Sequence, residues 1–217
     1  KGCILTIGSR RNITVFGNVI IGTNGTVNHT SRCTFSVTGN FTNAGSYVAT
    51  DNNARLTFSG VSQLFSGNGT HTCKSLTINA GSNTSLGVAV SCNILSVSGV
   101  FDPSTYLLTI NANTKGFNIA NSGTIKVNTA TFSGNYSRSP TTINNSSTIN
   151  YSAITLNQTV ANFDYGKLVI SGAMVKTLAA NTTLLSSTST TGIVSLEGGT
   201  LDLGAFTLNR STAVAGG

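Results

Sequence analysis

The stretch KSLTINAG, residues 74–81, returns as GKLVISG at 166–172, and both copies sit in a run of short apolar strands and polar turns. Neither holds a side chain suited to catalysis, so the repetition speaks of architecture. Within LTIN, 76–79, apolar and polar residues alternate, the period of a strand with one apolar face. The same phrase recurs as LTI 5–7, ITVF 13–16, CTFSV 33–37, LTFSG 56–60, LSVSG 95–99, LTIN 108–111, TIKV 124–127, INYS 149–152, VSLEGG 194–199 and FTLN 206–209. Leu56, Leu76 and Leu95 are spaced by 20 and 19 residues, and Ile149 and Leu168 by 19. Such a period marks a solenoid whose coils each add two or three short strands and bury only their neighbours. The reading is all-β: a single-stranded parallel β-helix, right-handed, with coils of about 19–21 residues, continuous over 1–217.

A longer period lies over the first. LTFSG 56–60 matches INYSA 149–153, SLTIN 75–79 matches KLVIS 167–171, and LLTIN 107–111 matches AFTLN 205–209, which points to a module of about 56–111 repeated at 149–209. NAGSN, SGNGT and ANSGT read as corners, where glycine and asparagine accept strained backbone.

Composition agrees. The 217 residues hold 24 Gly, 25 Asn and 61 Ser plus Thr, with 39% hydrophobic and only 8% charged residues. That is too apolar for a disordered chain and too poor in helix formers for a helical one. The net charge is +7, from 12 Lys and Arg against five acids. The cations are strewn, with Arg10-Arg11 the only doublet, and read as solvated faces and turns, with weak attraction for polyanions as the minor reading; nucleic acid is not expected as a partner. No window is long and apolar enough for membrane insertion. With no initiator Met and no signal peptide the chain reads as processed or excised from something longer, and KGCILTIG and STAVAGG, which offer no polar cap, favour an adhesive stalk or a filament unit.

Cys3, Cys33, Cys73 and Cys92 fit neither a CxxC redox pair nor a zinc knuckle. Residues one coil apart meet within disulfide range. A Cys73–Cys92 bridge at 19 residues, and Cys3–Cys33 across a longer first coil, are therefore expected, with four buried free thiols as the alternative.

The text NFTNAGSYVATDNNARLTFSG (40–60), followed by KSLTINAG, NILSVSGVFDPSTYLLTIN and later VSLEGGTLDLGAFTLN (194–209), resembles the repetitive parallel β-helix segments of large bacterial surface and secreted adhesins, in particular those exported by the type IX route. The resemblance covers most of 35–111 and 149–209. It implies an extracellular, largely non-catalytic role and carries over no functional residue.

Right-handed β-helices also include polysaccharide lyases and hydrolases, which need clustered carboxylates. Here Asp51, Asp102, Asp164, Glu197 and Asp202 are scattered, and Asp102 before Pro103 reads as a turn former. His29 and His71 read as solvated loop residues, with no metal site and no cofactor expected. Thirteen Asn-x-Ser/Thr sequons, at Asn12, Asn24, Asn28, Asn40, Asn68, Asn83, Asn135, Asn144, Asn145, Asn150, Asn157, Asn181 and Asn209, are candidate glycosylation sites or the plain result of Asn and Thr sharing turns. Thr-x-Thr occurs only in isolated places such as THT 70–72, short of the regular rows of an ice-binding solenoid.

The expected role is a non-enzymatic extracellular filament unit or adhesin stalk, self-associating end to end or joined to neighbouring domains. The rival is a glycan-binding module with Tyr47, Tyr136 and Tyr165 facing outward as sugar contacts.

Overall fold

The structure is a computed structural model that describes residues 2–8, 11–111, 116–186 and 191–211. It is a parallel β-solenoid of about nine turns. The chain lays down three short strands per coil, one on each of three faces, and each pairs in parallel with its counterparts in the adjacent coils. The first face holds six strands, Ile4–Ile7, Thr26–His29, Ser46–Ala49, Thr70–Thr72, Val90–Cys92 and Leu108–Ile110. The second holds seven, from Ile13–Val15 through Thr34–Val37, Arg55–Phe58, Ser75–Ile78, Ile94–Val97 and Phe117–Ile119 to Thr142–Ile143. The third is unbroken through nine, from Val19–Ile21 to Ile193–Leu196.

Register steps of 21 (Thr34 to Arg55), 20 (Arg55 to Ser75) and 19 (Ser75 to Ile94) match the period read from the leucines. Elsewhere they range from 17, Asn83 to Val100, to 26, Lys167 to Ile193, because corners absorb extra residues without disturbing the ladder. Leu56 and Leu76 lie on the second face, Ile149 and Leu168 on the third, so the longer sequence offset relates strands of different faces.

Parallel in-register pairing turns the alternation of each strand into columns. Phe35, Leu56, Leu76, Leu95 and Phe117 are successive partners and all buried, as are Val37, Phe58, Ile78, Val97 and Ile119 beside them. Each such side chain stabilises the fold by about 1.5–3 kcal/mol through burial. Phe35, Phe41, Tyr47, Phe58 and Phe65 make one aromatic cluster, Phe41 and Phe65 meeting edge to face at 5.1 Å. The predicted corners also hold. Gly81 and Gly67 have φ of 80° and 99°, and Ser122 is left-handed at 63°. At Gly45 a Cβ would collide with the carbonyls of Gly22 and Gly25 one coil back.

The solenoid changes between residues 128 and 138. In place of a seventh strand on the first face, Tyr136 bridges back to Leu108 and Thr131 bridges forward to Thr159, with the four-residue helix Phe132–Asn135 between them. The first face ends there and the second ends one strand later, at Thr142–Ile143; two shorter sheets follow, Gln158–Val160, Val175–Leu178 and Thr200–Asp202, and Asp164–Tyr165, Thr182–Leu184 and Leu208–Arg210. Asn135 holds the crossing. Its Oδ1 accepts from Asn128 N (2.7 Å), Thr129 N and Thr129 Oγ1, and its Nδ2 donates to the carbonyls of Ser104 (2.9 Å) and Tyr106 (3.1 Å).

Candidate functional site

The coil period brings together cations that are far apart in sequence. On the second face Thr34, Arg55, Ser75 and Ile94 are register partners. Arg32 stands two residues before Thr34, Lys74 one before Ser75, and Arg11 two before Ile13, the partner of Phe35. Arg11, Arg32, Arg55 and Lys74 therefore lie within two register positions of one another, a file along the corner between the first and second faces, on successive coils spaced about 4.8 Å apart. Arg11, Arg32 and Arg55 are exposed and Lys74 is half-buried. None of the four side chains donates to a protein group among the described residues. The nearest acid in the chain, Asp51, is occupied by its own loop, its Oδ1 accepting from Asn53 N at 2.7 Å.

A groove of about 220 Å³ runs through this file, lined by Asn12, Arg32, Cys33, Thr34, Asn52, Asn53, Arg55, Ser75 and Ile94. Two guanidiniums thus flank asparagine amides and two hydroxyls. The signal was present in the sequence, since the intervals between the four cations, 21, 23 and 19 residues, are coil lengths. It is invisible to a search for adjacent charges.

Cys33 closes the floor of the groove. Behind it lies fully buried His29, with Nε2 3.1 Å from Cys33 Sγ and Nδ1 2.9 Å from Tyr47 Oη. The expectation of a solvated loop histidine is overturned: alternation turns His29 into the column between Ile7 and Ala49. Burial lowers its pKa, and the contacts with Cys33 and Asp51 oppose that. His71 is half-buried. Its Nε2 donates to Gly67 O (2.9 Å) while Nδ1 faces Asn43 Nδ2 (3.2 Å), and burial lowers its pKa as well.

All four cysteines are free thiols. The expected Cys3–Cys33 bridge is excluded by topology. Cys3 precedes the first strand of the first face, where its carbonyl accepts from Thr26 N, while Cys33 immediately precedes a strand of the second face. Cys73 and Cys92 do fall one coil apart, next to the register pair Thr72 and Ser91. They stand there as buried thiols rather than the expected disulfide, Cys73 pushed up to about 12 by burial and Cys92 shifted the same way.

The three tyrosines expected to face sugars point inward. Tyr47, Tyr136 and Tyr165 are all fully buried, each phenol having an internal partner: His29, the Lys126 carbonyl and the Ala161 carbonyl respectively. A phenol whose hydroxyl finds a partner inside is a full aromatic filler, and only Tyr106 stays exposed. Among the sequons, Asn135 is buried with both amide hydrogens engaged and cannot carry a glycan. Asn12, Asn24, Asn40, Asn68, Asn83, Asn157, Asn181 and Asn209 are exposed, and Asn28, Asn144, Asn145 and Asn150 half-buried. Several use Oδ1 to hold an N–H of the next coil, Asn12 with Thr34, Asn40 with Leu64 and Asn181 with Thr207.

The acids are held locally. Asp102 pairs with Lys126 at 3.0 Å and accepts from Ser104 N, the turn its Asp-Pro context predicts. Glu197 accepts from Ser195 Oγ, and Asp202 from Gly204 N. Among the described residues no three of His, Cys, Asp and Glu converge on a metal-sized site, and no helix is long and apolar enough to cross a membrane.

Among the described residues, both ends of the ladder are uncovered. At one, Leu5 (53% exposed) and Ile13 lack a neighbour above the interior columns that Val27 and Phe35 continue, and a recess of about 360 Å³ opens between them and Val15, Val19 and Ile21. At the other, Leu196 (64% exposed) ends the column of Tyr151 and Ile170. No protein-family model, no curated protein and no solved structure matches the chain.

Proposed function

We propose that the chain is a non-catalytic, extracellular structural solenoid of a surface or secreted assembly, extended by stacking its last coil on the first coil of a second copy. The observation that carries this reading is the pair of open ends, each exposing interior-column residues beside unpaired strand edges, since unpaired edges and uncovered apolar columns favour addition of another coil. The strand direction supports it. The last coil ends on strands of parallel sheets, so a further coil can add to it in the same parallel sense. Charge is complementary: the described residues of the first coil carry Arg11 and no acid, whereas 193–210 carry Glu197 and Asp202 against Arg210. A head-to-tail contact of this kind is heterologous and does not close, so it builds filaments. The exposed sequon asparagines and the resemblance to adhesin repeats support the extracellular setting.

Sedimentation velocity and electron microscopy over a concentration series test the reading. Rods growing in multiples of one solenoid length, and shortened by Leu196→Lys or Leu5→Lys, are expected. Monodisperse single-length rods at every concentration would overturn it.

A further inference from the structure

We propose that the corner between the first and second faces binds an acidic polysaccharide, a sugar chain bearing carboxylates or sulfates, along the file Arg11, Arg32, Arg55 and Lys74. The cleft itself lies on the coils of Arg32 and Arg55, and only Arg11 and Asn12 belong to the first coil, so the proposal stands whether or not the chain assembles. Its premise is the groove of about 220 Å³, in which Arg32 and Arg55 on successive coils present two unpaired guanidinium forks to one cleft. An unpaired fork matches a carboxylate or sulfate bidentately and is less strongly hydrated than an ammonium, so it gives up water for an anion readily. Between the forks, the Asn12, Asn52 and Asn53 amides and the Thr34 and Ser75 hydroxyls offer donors and acceptors at the spacing of the coils, the complement of sugar hydroxyls. Arg11 below and Lys74 above continue the positive file beyond the cleft, so a linear polyanion gains a contact per coil. Asp51, the acid of this corner, is tied to Asn53.

The geometry favours a polysaccharide over a nucleic acid. The groove lining contains no aromatic ring on which a base could stack, the usual anchor for single strands. The cations stand along one corner, whereas a duplex presents two phosphate rows across a groove about 12 Å wide.

The test is titration calorimetry of the whole chain with heparin, polygalacturonate, neutral dextran, single-stranded DNA and duplex DNA at two salt concentrations. Binding to heparin, polygalacturonate or both, weakened by salt and absent for dextran, is expected, and which of the two binds separates sulfate from carboxylate recognition. Arg32→Ala and Arg55→Ala each weaken it by roughly tenfold, the loss of one charge-assisted contact. Lys167→Gln with Arg138→Gln, which removes two charges away from the file, leaves it within about twofold, and circular dichroism checks that all variants keep the fold. No binding to either acidic chain, tighter binding to DNA, or an equal loss in the control variant would each overturn the proposal.

Discussion

Replacing Asn135 by Asp is isosteric, yet it removes two hydrogens from the centre of the segment where the solenoid changes its sheets. In the native protein Nδ2 donates to the carbonyls of Ser104 and Tyr106, and Oδ1 accepts from Asn128 N, Thr129 N and Thr129 Oγ1. The carboxylate keeps the three accepted bonds and turns an oxygen toward the two carbonyls. A buried carbonyl left without a donor costs about 1–3 kcal/mol; these two are only part-buried, so a loss of up to about 2–6 kcal/mol is expected at neutral pH. Burial and the Asp102 carboxylate, which holds Ser104 N and Asn128 Nδ2, both disfavour a second negative charge, so the new carboxyl has a raised pKa in the folded protein. For an acid raised in this way the folded state favours the protonated form. Protonation restores one donor, so the deficit relative to wild type is smallest in acid and grows as pH climbs above the ordinary carboxyl value. Urea denaturation of both proteins at pH 4 and pH 7, followed by circular dichroism, measures the difference. A variant within about 0.5 kcal/mol of wild type at pH 7, or a deficit larger at pH 4, would refute the assignment of Asn135 as the bonded centre of the crossing.

Four further outcomes are expected. Titration of the native protein with an aromatic disulfide reagent modifies Cys3 alone and reaches four thiols in denaturant; a denatured count of two would mean that a bridge forms after all. Nitration of the native protein modifies Tyr106 and spares the four buried phenols, whose pKa values burial raises, Tyr151 to about 12; mass spectrometry showing nitrated Tyr47 would contradict the packing. His29 and His71 have folded pKa values below their ordinary one, so they contribute stability that is present above about pH 6.5 and lost as pH falls, and the acid-side slope flattens in His29→Gln if the column is as described. Lys176 is fully buried, donating to the carbonyls of Ala153 and Met174 at 3.0 Å each, and burial lowers its pKa from 10.5. A lysine so shifted burdens the folded state while protonated, so stability rises with pH toward 10.5, and Lys176→Gln, which places there the residue of its register partner Gln158, removes that rise in thermal melts taken across the range.

The fold was legible because a solenoid writes its geometry into its period. Leu56, Leu76 and Leu95 occupy one column and are spaced by the coil that stacks them. What the period could not say is which way an individual side chain turns. Tyr47 and Val48 are neighbours in one strand, and the phase of alternation, set by a corner several residues earlier, decides that the tyrosine goes in. The same reasoning missed Cys3. Thirty residues exceed any coil in the chain, and a small excess moves a residue to another face, whereas the 19 between Cys73 and Cys92 preserved their alignment. The basic file escaped notice for the opposite reason: charges one coil apart look dispersed in a linear reading. The crossing at 128–138 has no periodic signature at all, being held by side-chain bonds from Asn135 that depend on the coils around it.

The continuity of the third face has a mechanical consequence. Its hydrogen-bond ladder passes the crossing intact, from Thr124–Val127 to Thr148–Tyr151 to Lys167–Ile170, while the ladders on the other two sides stop and restart. A rod built this way is a beam with one uncut edge and a notch opposite. Bending that compresses the uncut edge opens the notch and meets little resistance, whereas bending that stretches the uncut edge must part hydrogen bonds in series. Load applied along the axis is carried past residue 130 chiefly by that single ladder. Bending is therefore expected to concentrate at the short helix, about the uncut third face, rather than at either end.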